Sequence, residues 1–404
     1  RSTQAKTLFP YTTLFRSVKK SASKIFDEIG ISMSTAINTF LKTVVREGKM
    51  PFDINPESPK PQLKSGNATL NNAFIVKKDE FYTQYEDVVV EMMKHRSHLK
   101  GKTILCNCDD PFESAFFRFF ILHFDDLELS GLISTCYSES SLAGKEYPLS
   151  GGTSAYKAIV KEVPSDNLER PDGSLDLESL FAIPSNSLVH LSGNGDFRSK
   201  ECEALLQQAD IIVTNPPFSL FREYISLLML HKKKFIILGN MNASTCKEIF
   251  PLFRDNKIWY GDSIKSGDRK FHVPDNYPLN ASNCGIDDTG RRFIRVKGVR
   301  WFTNLDTTRR HEHLVLTKKY NSNDYPKYEN YDAIEVNRTQ NIPLDYDGLM
   351  GVPITFLDKY NPDQFNIIML ANGNARSNVP SDILSKVKYL QHSEDRGGVG
   401  IIDG

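Results

Sequence analysis

The chain has 404 residues, 40% hydrophobic and 25% charged, with 50 Lys and Arg against 50 Asp and Glu, a composition ordinary for a folded protein with room for two or three domains. No apolar run approaches the roughly 18 residues of a membrane span and no leader pattern opens the chain, so no membrane partner is expected and the default placement is cytoplasmic. The six cysteines lack the two-residue spacing of a zinc knuckle or dithiol motif, so no metal site is expected.

In chain order, residues 1–17 show no helical or strand period and resemble translated sequencing-adapter DNA, which sets them outside any fold. Residues 18–52 predict two short helices. Ile25, Phe26 and Ile29 line one face before Gly30, and Ala36, Ile37, Phe40, Leu41, Val44 and Val45 repeat at helical spacing before Gly48 and Pro51. The string from Ile31 through Leu41, with Val44-Val45-Arg46-Glu47-Gly48 and Pro51-Phe52, resembles the RelB/DinJ antitoxin family. That resemblance implies a ribbon-helix-helix fragment that dimerises and reads operator DNA. Adapter-like residues stand where the DNA-reading ribbon should be, so the helices are expected without it. Residues 53–70, carrying Pro56, Pro59, Pro61 and Gly66, predict a linker.

From residue 71 the pattern turns to strands alternating with helices. Strands are predicted at 103–108, 132–137, 211–214, 235–238 and 313–316, and helices at 80–95, 112–123, 201–208 and 220–231. This alternation predicts a doubly wound α/β sheet, with ligands beyond the carboxyl ends of its strands. Residues 71–253 are the expected catalytic core. Residues 254–404 are expected to hold a target-recognition region and the remaining core strands. Within 254–327, 15 Lys and Arg stand against 9 Asp and Glu, interleaved with Trp301, Phe302 and Tyr320, a distribution that suits nucleic-acid phosphates.

The sharpest chemical signal is Asn215-Pro216-Pro217-Phe218 after the apolar run Ile211-Ile212-Val213. An amino group on an aromatic ring is a poor nucleophile because its lone pair is delocalised. A catalyst must accept hydrogen bonds from its N–H groups and hold the nitrogen in line with an electrophilic methyl. The Asn215 side-chain oxygen and the Pro216 carbonyl are acceptors, the proline pair stiffens the loop, and Phe218 offers a ring for base stacking. For a duplex, the base must first leave the stack. The same chemistry serves an RNA base or a protein glutamine amide, and these remain alternatives.

Upstream segments suit an S-adenosylmethionine site. Phe81-Tyr82-Thr83 resembles a segment preceding the cofactor core of many adenine methyltransferases. Asn107, Asp109, Asp110 and Pro111 follow the first strand where the methionine portion should contact backbone and an acidic group, although the usual glycine-rich loop is absent. Tyr137, with Glu139 near it, closes the second strand near the expected ribose. Asp196 and Phe197, in Gly193-Asn194-Gly195-Asp196-Phe197, are placed for the adenine amine.

Taken together, Leu105-Cys106-Asn107-Cys108-Asp109-Asp110-Pro111, Gly195-Asp196-Phe197-Arg198-Ser199 and the run from Thr214 through Tyr224 resemble the EcoRI-type adenine-specific DNA methyltransferase family. Gly239-Asn240-Met241-Asn242-Ala243, Trp301-Phe302-Thr303-Asn304-Leu305 and Gly351-Val352-Pro353-Ile354-Thr355-Phe356-Leu357 fit the same resemblance, which spans roughly residues 70–404. It implies a Rossmann-like sheet and N6-methylation of adenine in double-stranded DNA with S-adenosylmethionine as donor. A restriction–modification or phage setting, with a cognate restriction endonuclease as possible partner, is also implied. Another reading makes the chain an antitoxin-like DNA-binding regulator with an idle C-terminal domain. The sequence stops within the apolar run at Ile401-Ile402, and a fragment at both ends is expected.

Overall fold

The computed structural model describes residues 82–108, 111–112, 114–138, 155–165, 168–170, 173–265, 267–274, 277, 279, 284–373, 375–392, 394 and 397–402. The chain divides into Arg1–Lys64 and Ser65–Gly404, and every described residue belongs to the second unit. The antitoxin-like helices and the linker up to residue 70 lie outside the described residues, as do Phe81, Asp109, Asp110 and Glu139.

An eight-stranded sheet forms the centre, in the order β4-β3-β2-β1-β5-β6-β11-β7. Its strands are β1 (Thr103–Cys106), β2 (Gly131–Thr135), β3 (Tyr156–Val160), β4 (Ser187–His190), β5 (Ile211–Thr214), β6 (Lys234–Asn240), β7 (Trp259–Tyr260) and β11 (Val299–Thr303). β2, β1, β5 and β6 pair in parallel, and only β3 and β11 run against the other strands. The central strands are apolar at consecutive positions because both of their faces are covered. Ile104, Cys106, Val213, Ile236 and Leu238 pack into one layer, and Leu105, Ile212, Phe235 and Ile237 into the other.

Helices α1 (Tyr85–Lys94) and α2 (Ala115–Leu122) cover the first face. Helices α3 (Lys200–Gln208), α4 (Phe221–Leu230) and α5 (Phe250–Arg254) cover the second. The sheet is thus doubly wound, as the alternating pattern predicts. Ser114 caps α2 by accepting from the Phe117 N–H at 3.2 Å, and Ser199 caps α3 by accepting from Cys202 at 3.2 Å.

Three of the predicted strands change, and the helix predicted over 80–95 begins only at Tyr85. β1 ends at Cys106 instead of reaching residue 108, because Cys108 turns into the left-handed region at φ 67°. β2 likewise stops at Thr135, before Tyr137. Residues 313–316 form no strand. Leu314 there pairs its N–H and C=O with the side-chain amide of Gln364, at 2.7 and 2.9 Å. A side chain thus satisfies backbone groups that a ladder would otherwise take.

A second sheet, β8 (Asp268–His272), β10 (Arg292–Lys297) and β9 (Cys284–Ile286), is antiparallel and sends Phe271, Ile294 and Val296 into the α1–α2 layer. Further on, β12 (Ala333–Glu335) and β13 (Leu349–Gly351) pair in parallel beside a small core containing Ile334, Phe356 and Tyr360. Arg300 of β11 ties this part to the central sheet with a forked pair to Asp358, at 2.7 and 3.0 Å.

Glu91 of α1, fully buried, anchors the loop that follows β7. It accepts from His95 Nε2 at 3.1 Å, from the Asp262 N–H at 3.0 Å and from the Ser263 N–H at 2.7 Å. Gly261 makes this possible, since a Cβ there would lie 2.1 Å from Glu91 Oε1. Among the described residues no helix is long and apolar enough to cross a membrane.

Candidate active site

The chain leaves β1, adds β2, β3 and β4 on one side, and returns across β1 to place β5 on its other side. Where an open α/β sheet reverses in this way, the general rule puts the ligand crevice beyond the carboxyl ends of the strands at the switch, here those of β1 and β5. Asn107 follows β1 and Asn215 follows β5, so the two stand at the same point of the fold.

Hydrogen bonds close the two strand ends together. The Thr214 hydroxyl donates to the backbone carbonyl of Asn107, and the Tyr224 hydroxyl of α4 donates to Asn107 Oδ1. Asn215, Pro216 and Pro217 are buried and Phe218 is half-buried. Pro217 accepts from the Leu220 N–H at 3.0 Å, which turns Phe218–Leu220 into a short 3₁₀ segment leading into α4. Gly239 of β6 leaves room for the ring of Phe221, which a Cβ would meet at 2.4 Å. The rigid loop expected from the proline pair is therefore held by a strand before it and a helix after it.

The loop after β4 meets the end of β2. Ser138 donates its N–H to the Asn194 carbonyl at 2.9 Å. Gly195 has φ 79°, and a Cβ there would lie 2.0 Å from the Cys136 carbonyl oxygen. Only glycine satisfies both the conformation and the approach. Gly195→Ala is expected to push this loop off β2, costing roughly 1–3 kcal/mol from overpacking. Chemical denaturation checks the effect.

Asp196 lies in that loop, where Arg198 forks its carboxylate, with Nε to Oδ1 at 2.9 Å and Nη2 to Oδ2 at 2.7 Å. The Arg198 hydrogen bonds outweigh partial burial and hold the carboxyl below its usual range. Arg198 also reaches Glu223 of α4 at 3.0 Å. Phe197 is buried and sets its ring edge-on to Tyr224, with centroids 5.0 Å apart. Asn107, Thr214–Asn215, Tyr224 and Asp196–Phe197 therefore form one connected set.

The other predicted residues are placed by contacts of their own. Pro111 is buried in the turn after β1, and its neighbour Phe112 packs on Tyr156 of β3 with centroids 5.5 Å apart. Tyr137 is half-buried just past β2. Tyr82 makes a two-way backbone bridge with His272 of β8, at 3.0 and 3.2 Å, and Thr83 is buried beside it. Gln84 Nε2 donates to His272 Nδ1 at 3.3 Å, and His272 Nε2 reaches Asp287 at 2.7 Å. This segment thus enters α1 from the small sheet.

Arg198 and Tyr224 are not among the candidate site residues of the sequence. Arg198 lies two positions beyond Asp196 and Tyr224 nine beyond Asn215; for Tyr224 the signal is a polar group inside an otherwise apolar helix face.

The basic stretch is also partly internal. Trp301 and Phe302 are buried in β11. Arg300 is engaged by Asp358, Arg309 donates to the carbonyls of Asp262 and Asp358, and Arg310 stacks 3.8 Å over Trp259.

Comparison with known proteins bears on the whole of this region. The family model described as adenine-specific methyltransferase EcoRI matches residues 69–402, and the RelB antitoxin model matches residues 15–67. Type II methyltransferase M.EcoRI of Escherichia coli is 44% identical over 309 residues, covering 76% of this chain and 90% of that protein. Type II methyltransferase M.MpnI of Mycoplasma pneumoniae is 37% identical over 307 residues, covering 75% and 86%. M.MgeORF184P of Mycoplasma genitalium, also a Type II methyltransferase, is 37% identical over 310 residues. No solved structure matches the chain.

Proposed function

The chain belongs to the EcoRI family of adenine-specific methyltransferases, and on that premise we propose that it methylates N6 of adenine in duplex DNA with S-adenosylmethionine as donor. It is a DNA adenine methyltransferase of the restriction–modification kind. The observation that carries the finer reading is the placement of Asn107 and Asn215 just past the ends of adjacent strands β1 and β5 at the switch point of the sheet, with the Thr214 hydroxyl on the Asn107 carbonyl.

The crevice suits the donor. Gly195 brings the β4 loop onto the end of β2 where no Cβ fits, and Gly193, two residues before it, faces open space. Asn107 would hold the amino-acid end and Asp196 the adenine amine, with Phe197 packing beside them. Asp109, Asp110, Pro111 and Tyr137, with Phe81, Tyr82 and Thr83, are proposed as further contacts on the strength of their order in the sequence. S-adenosylmethionine would supply a methyl group made electrophilic by its sulfonium, its S–C bond breaking as the N–C bond forms and leaving a neutral thioether.

The protein's part is to orient and to accept. Asn215 Oδ1 and the Pro216 carbonyl accept the two N–H bonds of the adenine amine, turning the nitrogen lone pair toward the donor. Phe218 stacks on the extruded base. As the nitrogen gains positive charge, both accepted bonds strengthen, so they favour the transition state over the bound substrate. One amine proton is lost to solvent after transfer. Positioning provides most of the acceleration.

DNA as substrate also supports a cytoplasmic placement and a cognate endonuclease as partner. The RelB match at residues 15–67 supports an added operator-binding or dimerising segment, separable from methylation. Labelled S-adenosylmethionine offered to duplex DNA, RNA and protein tests the substrate class. Label in DNA, digesting to N6-methyladenine, is the expected result; label in RNA or glutamine alone would refute the reading.

A further inference from the structure

We infer that Tyr224 and Thr214 are positioning residues whose two hydroxyls grip Asn107 and hold the donor-binding end of β1 in register with the catalytic end of β5. The inference rests on the reading of this crevice as the S-adenosylmethionine site.

Asn107 is held at both of its oxygens. Its carbonyl accepts from Thr214 and its Oδ1 accepts from Tyr224. Tyr224 is fully buried, and burial keeps its hydroxyl protonated, well above the ordinary phenol range. A buried hydroxyl left without an acceptor costs about 1–3 kcal/mol, so the Asn107 amide is strongly biased to turn its oxygen toward α4. Its Nδ2 then faces away from Tyr224, and among the described residues that nitrogen has no hydrogen-bond partner. Two oriented N–H groups at a strand end suit an anionic acceptor. The group of S-adenosylmethionine with that chemistry is the α-carboxylate of its methionine part.

Tyr224 acts on the other half of the crevice as well. Its ring supports Phe197 edge-on at 5.0 Å, directly after Asp196. One side chain thus sets the amide proposed for the amino-acid end and the ring beside the proposed adenine acid. Thr214 adds the acceptor side, because Asn215 is its immediate neighbour in the chain. A hydroxyl anchored to β1 fixes where the Asn215 backbone starts.

The test uses the full chain and two shape-preserving variants, Tyr224→Phe and Thr214→Val. Tyr224→Phe keeps the ring against Phe197 and removes only the hydroxyl. Its KM and Kd for S-adenosylmethionine are expected to rise about 3–10-fold, the size of one net hydrogen bond. The KM for duplex DNA should move less than twofold. In an Asn107→Ala background Tyr224→Phe should add nothing further, since no amide remains to orient. Thr214→Val is expected to lower kcat by more than it raises the KM for the donor. Unchanged donor affinity in Tyr224→Phe, an effect additive with Asn107→Ala, or a kcat untouched in Thr214→Val would overturn the inference alone. A wild-type chain that binds no S-adenosylmethionine would overturn both it and the reading of the crevice.

Discussion

Asn215→Ala is expected to lower the rate of methyl transfer to duplex DNA by at least about 10²–10³-fold, the usual effect of removing one group aimed at charge that develops in a transition state. The adenine amine carries little charge before reaction and becomes cationic as the new N–C bond forms. An acceptor fixed beside it therefore contributes more to the transition state than to the bound substrate. Asn215 is buried at the end of β5, after Thr214 and before two buried prolines, so its position costs little further ordering during the reaction. Asn215→Asp, which keeps an acceptor at that place, should retain more rate than alanine. Single-turnover transfer of labelled methyl measures the effect, and fluorescence anisotropy with the duplex shows whether binding survives. A full rate in Asn215→Ala would remove Asn215 from the chemistry.

Glu91→Ala is expected to cost about 3–5 kcal/mol of unfolding free energy, the range for removing one partner of a buried pair. The change would leave His95 Nε2 and the N–H groups of Asp262 and Ser263 buried without their acceptor. Glu91→Gln should also be costly, because an amide replaces one accepting oxygen with a donor that faces another donor. Burial disfavours the Glu91 charge, but bonds from His95, Ser263 and Asp262 outweigh it and hold the carboxyl below its usual range. The folded protein thus binds this proton less readily than the unfolded chain. Stability from Glu91 is full above the ordinary carboxylate range near 4.5 and is lost as pH falls through the lowered folded value. Urea unfolding from pH 7 to pH 3 should show wild type losing its advantage over Glu91→Ala at the acid end.

The legible parts of the fold were those where one physical cause acted alone. β1, β2, β5 and β6 are apolar runs with both faces covered, and each precedes or follows a helix of clear period. β7 is two residues long and β4 is half-exposed, so neither leaves a pattern. β11 was hidden by Arg300, a buried cation whose Asp358 partner comes 58 positions later. Charge counting for 254–327 mixed two populations for the same reason. Some of its arginines face solvent, while Arg300 and Arg309 bond inside the protein. The loop proposed as catalytic stands out in the sequence because Asn-Pro-Pro-aromatic after a strand has few other uses. The support of Asn107 was not, since a tyrosine in a helix and an asparagine 117 positions earlier share no local signal.

The place of β11 in the sheet sets a constraint on synthesis. β6 ends at Asn240, yet the strand that pairs along its outer side begins at Val299. A growing chain therefore exposes the unpaired backbone of β6, with Phe235 and Ile237 beside it, until roughly 60 more residues have been made. At about 5–20 residues per second that interval is roughly 3–12 s. Open apolar strand edges recruit other strands, so nascent chains are most exposed to mispairing in this window. Messages broken between the codons for β6 and β11 should yield products that aggregate, whereas breaks beyond Thr303 leave a sheet already closed along that side.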